Sequence, residues 1–495
     1  MENLTGRTLE IQLLQKALAS PQAELIAMYG RRRVGKTHLI QTVFKAEMLL
    51  ELTGIKGVSL SEQLDNFSAT LTDAFHLPLE MATPPSWIRA FRALIKLLEP
   101  QLTDTKKVIF LDEFPWFDTP KSGFLSAFDH FWNSWAVKQK NLVVVICGSA
   151  ASWMIQNIVR NKGGLHNRVT RRMRLMPFNL QETEQFLRSR YITLNRHQIV
   201  ELYMVTGGIP QYLKDIDPSE SVTQIIDRLC FTKDGWLADE FNSLYNALFD
   251  NFDKHLSIVK ALADKPSGLT RAELIDICNM SSGGTMTKTL DELLESGFIS
   301  EHIPFNKTTK FAIFKLSDEY SLFYLKFMKN SKAFGAGTWV KKSTSAAWQS
   351  WRGLAFEHIW LKHVPQIKKA LNIGAVYTEQ SAWRYVAKKN AQKSEGENEG
   401  KNEGKNEKGV QIDLLLDRQD NCINICEVKF SNTIFTISKD YADNLTHKRL
   451  VFQEQTKTKK TVFITLLTSF GVATNEHYLN TVQSNLTMDS LFENV

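Results

Sequence analysis

The stretch ELIAMYGRRRVGKTHLIQTV, residues 24–43, joins a short apolar run to a glycine-rich loop and then to a helical pattern. The loop, Gly30 to Thr37, fits the phosphate-binding pattern G-x-x-x-x-G-K-[ST] in full. Its glycines let backbone N–H groups turn toward phosphates, while Lys36 reaches the β- and γ-phosphates and the Thr37 hydroxyl ligates Mg²⁺. A strand before the loop and a helix after it are the context that this motif needs. The stretch therefore predicts an ATP and Mg²⁺ site in an α/β domain.

The whole loop and the residue after it are predicted to contact the nucleotide. These residues are Gly30, Arg31, Arg32, Arg33, Val34, Gly35, Lys36, Thr37 and His38. The three consecutive arginines are unusual for such loops. The sequence leaves open whether they hold phosphate charge or face a partner subunit.

Two further apolar runs supply the rest of the predicted site. In VIFLDEF, residues 108–114, four apolar residues are followed by Asp112, expected to orient Mg²⁺ through its coordination shell, and by Glu113, expected to activate the attacking water. VVVICGS ends in Ser149, which either senses the γ-phosphate or simply caps the strand. A basic segment follows at 160–178. Arg168 is its favoured arginine finger, and a solvated basic face is the alternative.

Length and composition limit the class of protein. A chain of 495 residues is too long for one hydrophobic core, so two to four domains are expected. No apolar run of about 18 residues indicates a membrane span, and the first residues lack a signal-peptide pattern, so a cytoplasmic protein is expected. Five scattered cysteines without a CxxC pair support neither a zinc ribbon nor a disulfide framework. A net charge of +7 permits contact with nucleic acid without requiring it.

The pattern of elements changes twice along the chain. Strands and helices alternate over 1–215, as in a P-loop NTPase domain with a parallel sheet. Residues 216–335 show helices, then two short helices, a turn at Gly297 and a β-ribbon, which fits a winged helix; a helical lid without a DNA role is the alternative. Residues 345–495 return to strands. They enclose a repetitive polar segment, 388–409, which is predicted to be a disordered insertion because it cannot bury enough surface.

Several short motifs in a fixed order resemble an archaeal and bacterial ATPase family of the AAA+/STAND group. They are YGRRRVGKTHLI (29–40), FLDEFPW (110–116), CGSAASWM (147–154), LMPFN (175–179), TGGIPQYL (206–213) and FKLSDEYSLFYLKFM (314–328). The resemblance implies that Pro210 lies near the adenine. It also implies that the tail is an active or degenerate restriction-endonuclease-like α/β domain of the PD-(D/E)xK type. The segment 388–409 is an insertion relative to the family pattern.

The stretch QIDLLLDRQDNCINICEVKFS, residues 411–431, carries the residues that such a nuclease needs. It reads as a hairpin with Asp413 on the first strand and Glu427 and Lys429 two apart on the second, on one face. Glu427 interrupts an otherwise apolar strand, where an acid is unfavourable unless it is paired or metal-bound. Two carboxylates can hold Mg²⁺, and a lysine can act near the attacking water. By resemblance, Glu357 is the helix acid of the same metal site.

Two alternatives remain open for this hairpin: Glu427 and Lys429 pair with each other on an exposed face, or the site binds nucleic acid without cutting it. His358, beside Glu357, is favoured as a packed residue rather than a ligand. The preferred function is an ATPase, able to assemble as a homo-oligomer, whose nuclease-like tail acts on DNA more readily than on RNA. The rival is an ATP-dependent signalling switch or scaffold whose tail only recognises a partner. A transporter subunit is disfavoured.

Overall fold

The phosphate loop is carried by a five-stranded sheet, formed by residues 24–29, 48–53, 107–112, 142–148 and 171–174. The computed structural model describes residues 4–159, 165, 167–249, 252–331, 335–386 and 409–494. The elements of the N-terminal unit are α1 Thr8–Leu18, β1 Glu24–Tyr29, α2 Lys36–Val43, β2 Met48–Thr53, α3 Leu60–Ala74, α4 Trp87–Leu98, β3 Lys107–Asp112, α5 Phe124–Ser134, β4 Leu142–Gly148, α6 Ala151–Met154, β5 Arg171–Arg174, α7 Leu180–Ser189, α8 Arg196–Thr206 and α9 Pro210–Leu213.

The predicted parallel sheet is confirmed. Its strand order is β2-β3-β4-β1-β5, and every pairing in it is parallel. Ile26 and Met28 of β1 point into one hydrophobic cluster, and Leu25 and Ala27 into another on the opposite face. A strand covered on both faces reads as a continuous apolar run, which is why β1, β3 and β4 are visible in the sequence.

The second unit contains helices followed by a small antiparallel sheet. Its elements are α10 Val222–Phe231, α11 Glu240–Leu248, α12 Phe252–Asp264, β6 Leu269–Thr270, α13 Arg271–Ile277, α14 Gly284–Glu295, β7 Ile299–His302, β8 Ile313–Leu316, α15 Glu319–Phe323 and α16 Thr338–Lys342. The small sheet has the order β6-β8-β7. The two helices and the ribbon expected from the sequence are therefore present, in the expected order. Their assignment as a winged helix remains a prediction.

The third unit is built on a separate mixed sheet. Its elements are α17 Ala346–Lys362, α18 Val364–Ala370, β9 Thr378–Tyr385, β10 Val410–Arg418, β11 Cys422–Lys429, α19 Lys439–Thr456, β12 Thr461–Thr468, α20 Glu476–Thr481 and β13 Ser484–Thr487. The strand order is β13-β12-β11-β10-β9; β9, β10 and β11 pair antiparallel, and β11, β12 and β13 pair parallel. The predicted insertion 388–409 lies outside the described residues, except for Gly409.

The three units share one hydrophobic core. A single buried cluster contains Ile26 of β1, Phe241 of α11, Phe356 of α17 and Leu414 of β10. Helix α17 begins where the Ser345 side chain accepts a hydrogen bond from the Trp348 N–H at 3.2 Å, which satisfies one of its free N–H groups.

An aromatic cluster holds α17 against the second unit. The Trp339 and Trp348 rings lie 4.8 Å apart, and the Phe327 and Trp351 rings 5.4 Å apart, both edge to face. Helix α17, which carries Glu357, is thereby fixed to the middle of the chain. Among the described residues, no helix combines the length and apolar character that crossing a membrane requires.

Candidate functional site

The phosphate loop turns sharply between β1 and α2. Gly30 has φ 143°, and a Cβ there would lie 2.3 Å from the backbone oxygen of Leu175, so only glycine fits. Gly35 has φ 90° and precedes the first residue of α2. The side chains of Val34 and Lys36 are buried, whereas Arg32 and His38 are exposed.

Lys36 is folded back over its own loop. Its Nζ donates hydrogen bonds to the backbone oxygens of Gly30 at 3.0 Å and Arg31 at 2.9 Å. Lys36 is only 7% exposed and lies at the turn that the motif assigns to phosphates. The predicted phosphate-binding lysine is thus positioned by the loop itself.

The ends of β3 and β4 bring the other predicted residues to the same place. The Thr37 hydroxyl donates to Asp112 Oδ2 at 2.7 Å, although the two residues are 75 positions apart. The Ser149 hydroxyl donates to Glu113 Oε2 at 2.9 Å. Because β3 and β4 are parallel, their carboxyl ends meet at one edge of the sheet. Thr37 and Asp112 together offer a hydroxyl and a carboxylate, which are oxygen donors suited to Mg²⁺.

Two arginines of the loop have partners within this chain. Arg31 forms a buried ion pair with Asp318, and its guanidinium lies 4.8 Å from the Phe298 ring centroid. Arg33 pairs with Glu240 and lies 4.2 Å from the Trp236 ring centroid. Both side chains bind acids of the second unit, an arrangement that neither sequence alternative included.

The Arg31–Asp318 pair is the most deeply buried ion pair of the loop. The Arg31 side chain is 4% exposed and the Asp318 side chain 1%. Burial alone raises the pKa of Asp318, but the Arg31 guanidinium and hydrogen bonds from Ser321 hold that pKa below its ordinary value. The Ser321 N–H donates to Asp318 Oδ2 at 2.9 Å. Both residues are therefore charged in the folded chain.

The arginines beyond β4 are placed differently from one another. Arg168 is exposed just before β5. Arg171 pairs with Glu24 at 3.1 Å, and Arg174 donates to the backbone oxygens of Leu294 and Glu295 at the end of α14. Of these three, only Arg168 is without an ion pair or hydrogen bond of its side chain within the described residues, so it remains the candidate finger.

Pro210 begins α9, and Ile209 separates it from Gly207 and Gly208, which both have positive φ. A Cβ on Gly207 would lie 2.7 Å from Glu319 Oε2 of the second unit. A Cβ on Gly208 would lie 2.2 Å from the Phe178 backbone oxygen. The glycines therefore let this turn approach the second unit and the segment before α7 closely.

Replacing Gly208 with alanine is expected to destabilise the protein by about 2–4 kcal/mol, because left-handed strain adds to the backbone clash. The measurement is the free energy of unfolding in denaturant. Gly353→Ala in α17 is the matched control, since its Cβ would meet nothing within 4 Å. That change is expected to stabilise the protein by about 0.5–1 kcal/mol. Equal effects of the two substitutions would contradict this account of the turn.

In the C-terminal unit, the predicted hairpin places its polar residues together. Leu414 pairs with Cys426 across β10 and β11, which sets Asp413 beside Glu427. Asp413, Glu427 and Lys429 line a cavity of about 170 Å³ together with Glu357 of α17. All four predicted residues are thus gathered at one place.

Lysines that the sequence interpretation did not name neutralise these acids. Lys448 of α19 pairs with Glu427. Lys315 of β8 lies 3.6 Å from Asp413 Oδ1 and 3.8 Å from Glu357 Oε1. Within the described part of the chain, no three His, Cys, Asp or Glu side chains are grouped so that they could hold a metal ion. The carboxylates are instead paired with Lys315 and Lys448 in this structure.

The alternative in which Glu427 pairs with Lys429 on an exposed face is wrong, because Glu427 is mostly buried and its partner is Lys448. The Lys429 ammonium instead lies 4.6 Å from the Tyr441 ring centroid, and burial lowers its pKa. Burial and the neighbouring Asp413 raise the pKa of Glu357 to about 7. For His358, burial instead lowers the pKa to about 3, as expected of a packed histidine.

Comparisons with known proteins agree with the N-terminal half of this picture. Residues 4–216 match the family model described as an ATPase domain predominantly from Archaea. An uncharacterized protein of Methanocaldococcus jannaschii is 22% identical over 378 residues, covering 76% of this chain and 80% of that protein.

Two solved structures are similar at low identity. The Walker-type ATPase of Pyrococcus abyssi has a TM-score of 0.47 and 17% identity, covering 66% of this chain and 96% of that one. The ORC2 protein of Aeropyrum pernix has a TM-score of 0.41 and 13% identity, covering 70% and 96%. The family match covers the residues that form the phosphate loop and the Thr37–Asp112 contact, so residues 4–216 are similar in sequence to an ATPase domain found predominantly in Archaea.

Proposed function

We propose that this protein is an ATP-hydrolysing enzyme whose C-terminal unit acts on DNA through Asp413, Glu427, Lys429 and Glu357, with ATP as the gate. The observation that carries the proposal is the meeting of these four side chains at one cavity. They come from one helix and two strands, so closeness along the sequence does not explain why the four side chains meet.

In the N-terminal unit, each residue has a distinct task. Lys36 and the loop N–H groups hold the β- and γ-phosphates. Thr37 and Asp112 would hold Mg²⁺, which offsets phosphate charge when bound. Glu113 orients the attacking water, and its hydrogen bond to Ser149 fixes the carboxylate before ATP arrives. Ser149 then senses the γ-phosphate, Pro210 borders the adenine, and Arg168 contacts the phosphates of a neighbouring subunit in a homo-oligomer.

In the C-terminal unit, Asp413, Glu427 and Glu357 are the acids that would bind Mg²⁺ once their lysine partners withdraw. Lys429 lies beside them with a lowered pKa, and can approach a phosphate of the DNA backbone. The amide of Gln411 donates to Asp413 Oδ1 at 2.7 Å and fixes that carboxylate. DNA is favoured over RNA because the second unit has the helix–helix–ribbon order of a winged helix.

The second candidate is an ATP-dependent switch or scaffold whose C-terminal unit recognises a partner without cutting it. One observation favours it: Lys315 and Lys448 pair with the carboxylates in this structure. An acid set neutralised by lysines is a stable arrangement that needs no metal.

Incubation of purified protein with linear and circular DNA, Mg²⁺ or Mn²⁺, and ATP tests the proposal. Metal-dependent cleavage is expected from the wild type and should fall by at least ~100-fold in Glu427→Ala, because an essential metal ligand is gone. Glu379→Ala, an exposed acid on β9, is the control and should cleave normally. Undiminished cleavage by Glu427→Ala would reject this site, and no cleavage by the wild type would favour the switch.

A further inference from the structure

Lys315 is a buried lysine in a short strand whose other residues are apolar. It lies in β8, Ile313–Leu316, and is only 5% exposed. A lysine is seldom buried without a charged partner. Its partners here are Asp413 and Glu357, two acids from another unit of the chain.

The residues that follow Lys315 pair with side chains of both the N-terminal unit and the third unit. Asp318 pairs with Arg31 of the phosphate loop. Glu319 accepts hydrogen bonds from Lys362 Nζ at 2.6 and 2.7 Å, and Lys362 is the last residue of α17, the helix that carries Glu357. Residues 315–319 therefore contact the phosphate loop, the C-terminal acids Asp413 and Glu357, and the end of helix α17.

We propose that Lys315 is a built-in cation that closes the C-terminal carboxylate cavity to metal, and that the phosphate loop holds it there through Arg31 and Asp318. This inference rests on the proposed function, since it concerns regulation of the same acids. The Lys315 ammonium lies 3.6 Å from Asp413 and 3.8 Å from Glu357, so its positive charge competes with a divalent ion for these two carboxylates. Removing it leaves Asp413 and Glu357 without their cation, and a metal ion is the natural replacement.

Lys315 has room to withdraw. It also lines a second cavity of about 860 Å³ that lies among the three units. Arg31, His302 and His358 line the same cavity, so it extends from the phosphate loop to α17. A change of the Lys315 rotamer into this space would free Asp413 and Glu357 without unfolding β8. Lys448 would remain on Glu427 and Lys429 beside Tyr441.

The test is the affinity of the nucleotide-free, full-length protein for Mn²⁺, measured by calorimetric titration. Lys315→Met keeps the side-chain length and removes the charge. It is expected to tighten Mn²⁺ binding by about 10-fold or more, within the usual range of coupling between sites. Lys310→Met, an exposed lysine between β7 and β8, is the matched control and should bind as the wild type does. Adding Asp413→Asn to Lys315→Met should abolish the gain, which assigns it to these acids.

A second arm tests the connection to the phosphate loop. The double variant Arg31→Met with Asp318→Leu removes the ion pair without leaving an unpaired charge, and it should also tighten Mn²⁺ binding. Unchanged affinity in this variant would overturn the role of the loop. Unchanged affinity in Lys315→Met would overturn the whole inference, while the loss of DNA cleavage in Glu427→Ala would still support the proposed function.

Discussion

Replacing Lys36 with alanine is expected to reduce ATP hydrolysis by ~100-fold or more, since a preorganised charge at the transferred phosphate contributes on that scale. In the structure the Lys36 ammonium donates hydrogen bonds to two carbonyl groups of the loop, and in the proposed mechanism it exchanges them for phosphate oxygens. The measurement is steady-state phosphate release at saturating ATP and Mg²⁺.

Lys45→Ala is the control for this prediction. Lys45 is exposed just after α2, so its loss changes the net charge by the same amount without touching the loop. It should hydrolyse ATP at the wild-type rate. If Lys36→Ala retained most of the activity, the phosphate loop would not be the hydrolytic site.

Replacing Asp318 with alanine is expected to destabilise the protein by about 3–5 kcal/mol, because it leaves the Arg31 guanidinium buried without its counter-charge. The measurement is the free energy of unfolding for the transition in which the N-terminal unit and the second unit unfold. Two Arg31 nitrogens, Nε and Nη2, already have no hydrogen-bond partner within the described residues. The loss of Asp318 therefore cannot be offset locally.

Asp489→Ala is the matched control, because Asp489 pairs with Arg196 at 2.8 Å while remaining 58% exposed. A surface ion pair contributes about 0–1 kcal/mol, so this change should have little effect. The double variant Arg31→Met with Asp318→Leu should recover most of the stability, since apolar residues of similar volume often replace a buried pair without loss. A small effect of Asp318→Ala alone would show that the pair is not held as described.

The parts of the fold that were predictable are those with a local signal. β1, β3 and β4 are apolar runs, and the phosphate loop has a spacing that few sequences share. β5 was not recognised as a strand, because RRMR offers only Met173 as an apolar residue. Arg171 and Arg174 have partners that lie far away in sequence, Glu24 for the first and the end of α14 for the second.

The candidate sites divide in the same way. The sequence reveals Asp413, Glu427 and Lys429 because an acid in an apolar strand is unusual. Side chains alternate between the two faces of a strand, so Glu427 and Lys429, two positions apart, share one face. Lys315 gives the same signal in FAIFKLS, and that signal could have identified it. The pairing of Arg31 with Asp318 spans 287 positions, and no pattern of local spacing could have revealed it.

The rate of cleavage of circular DNA in the presence and absence of ATP, by wild type and Lys36→Ala, tests the central claim most directly. If ATP binding gates the C-terminal acids, the wild type should cut only with ATP and a divalent metal, and Lys36→Ala should not cut under either condition. Cleavage that is equal with and without ATP, and unchanged in Lys36→Ala, would contradict the gate. ATP hydrolysis without any cleavage would establish the switch or scaffold function instead.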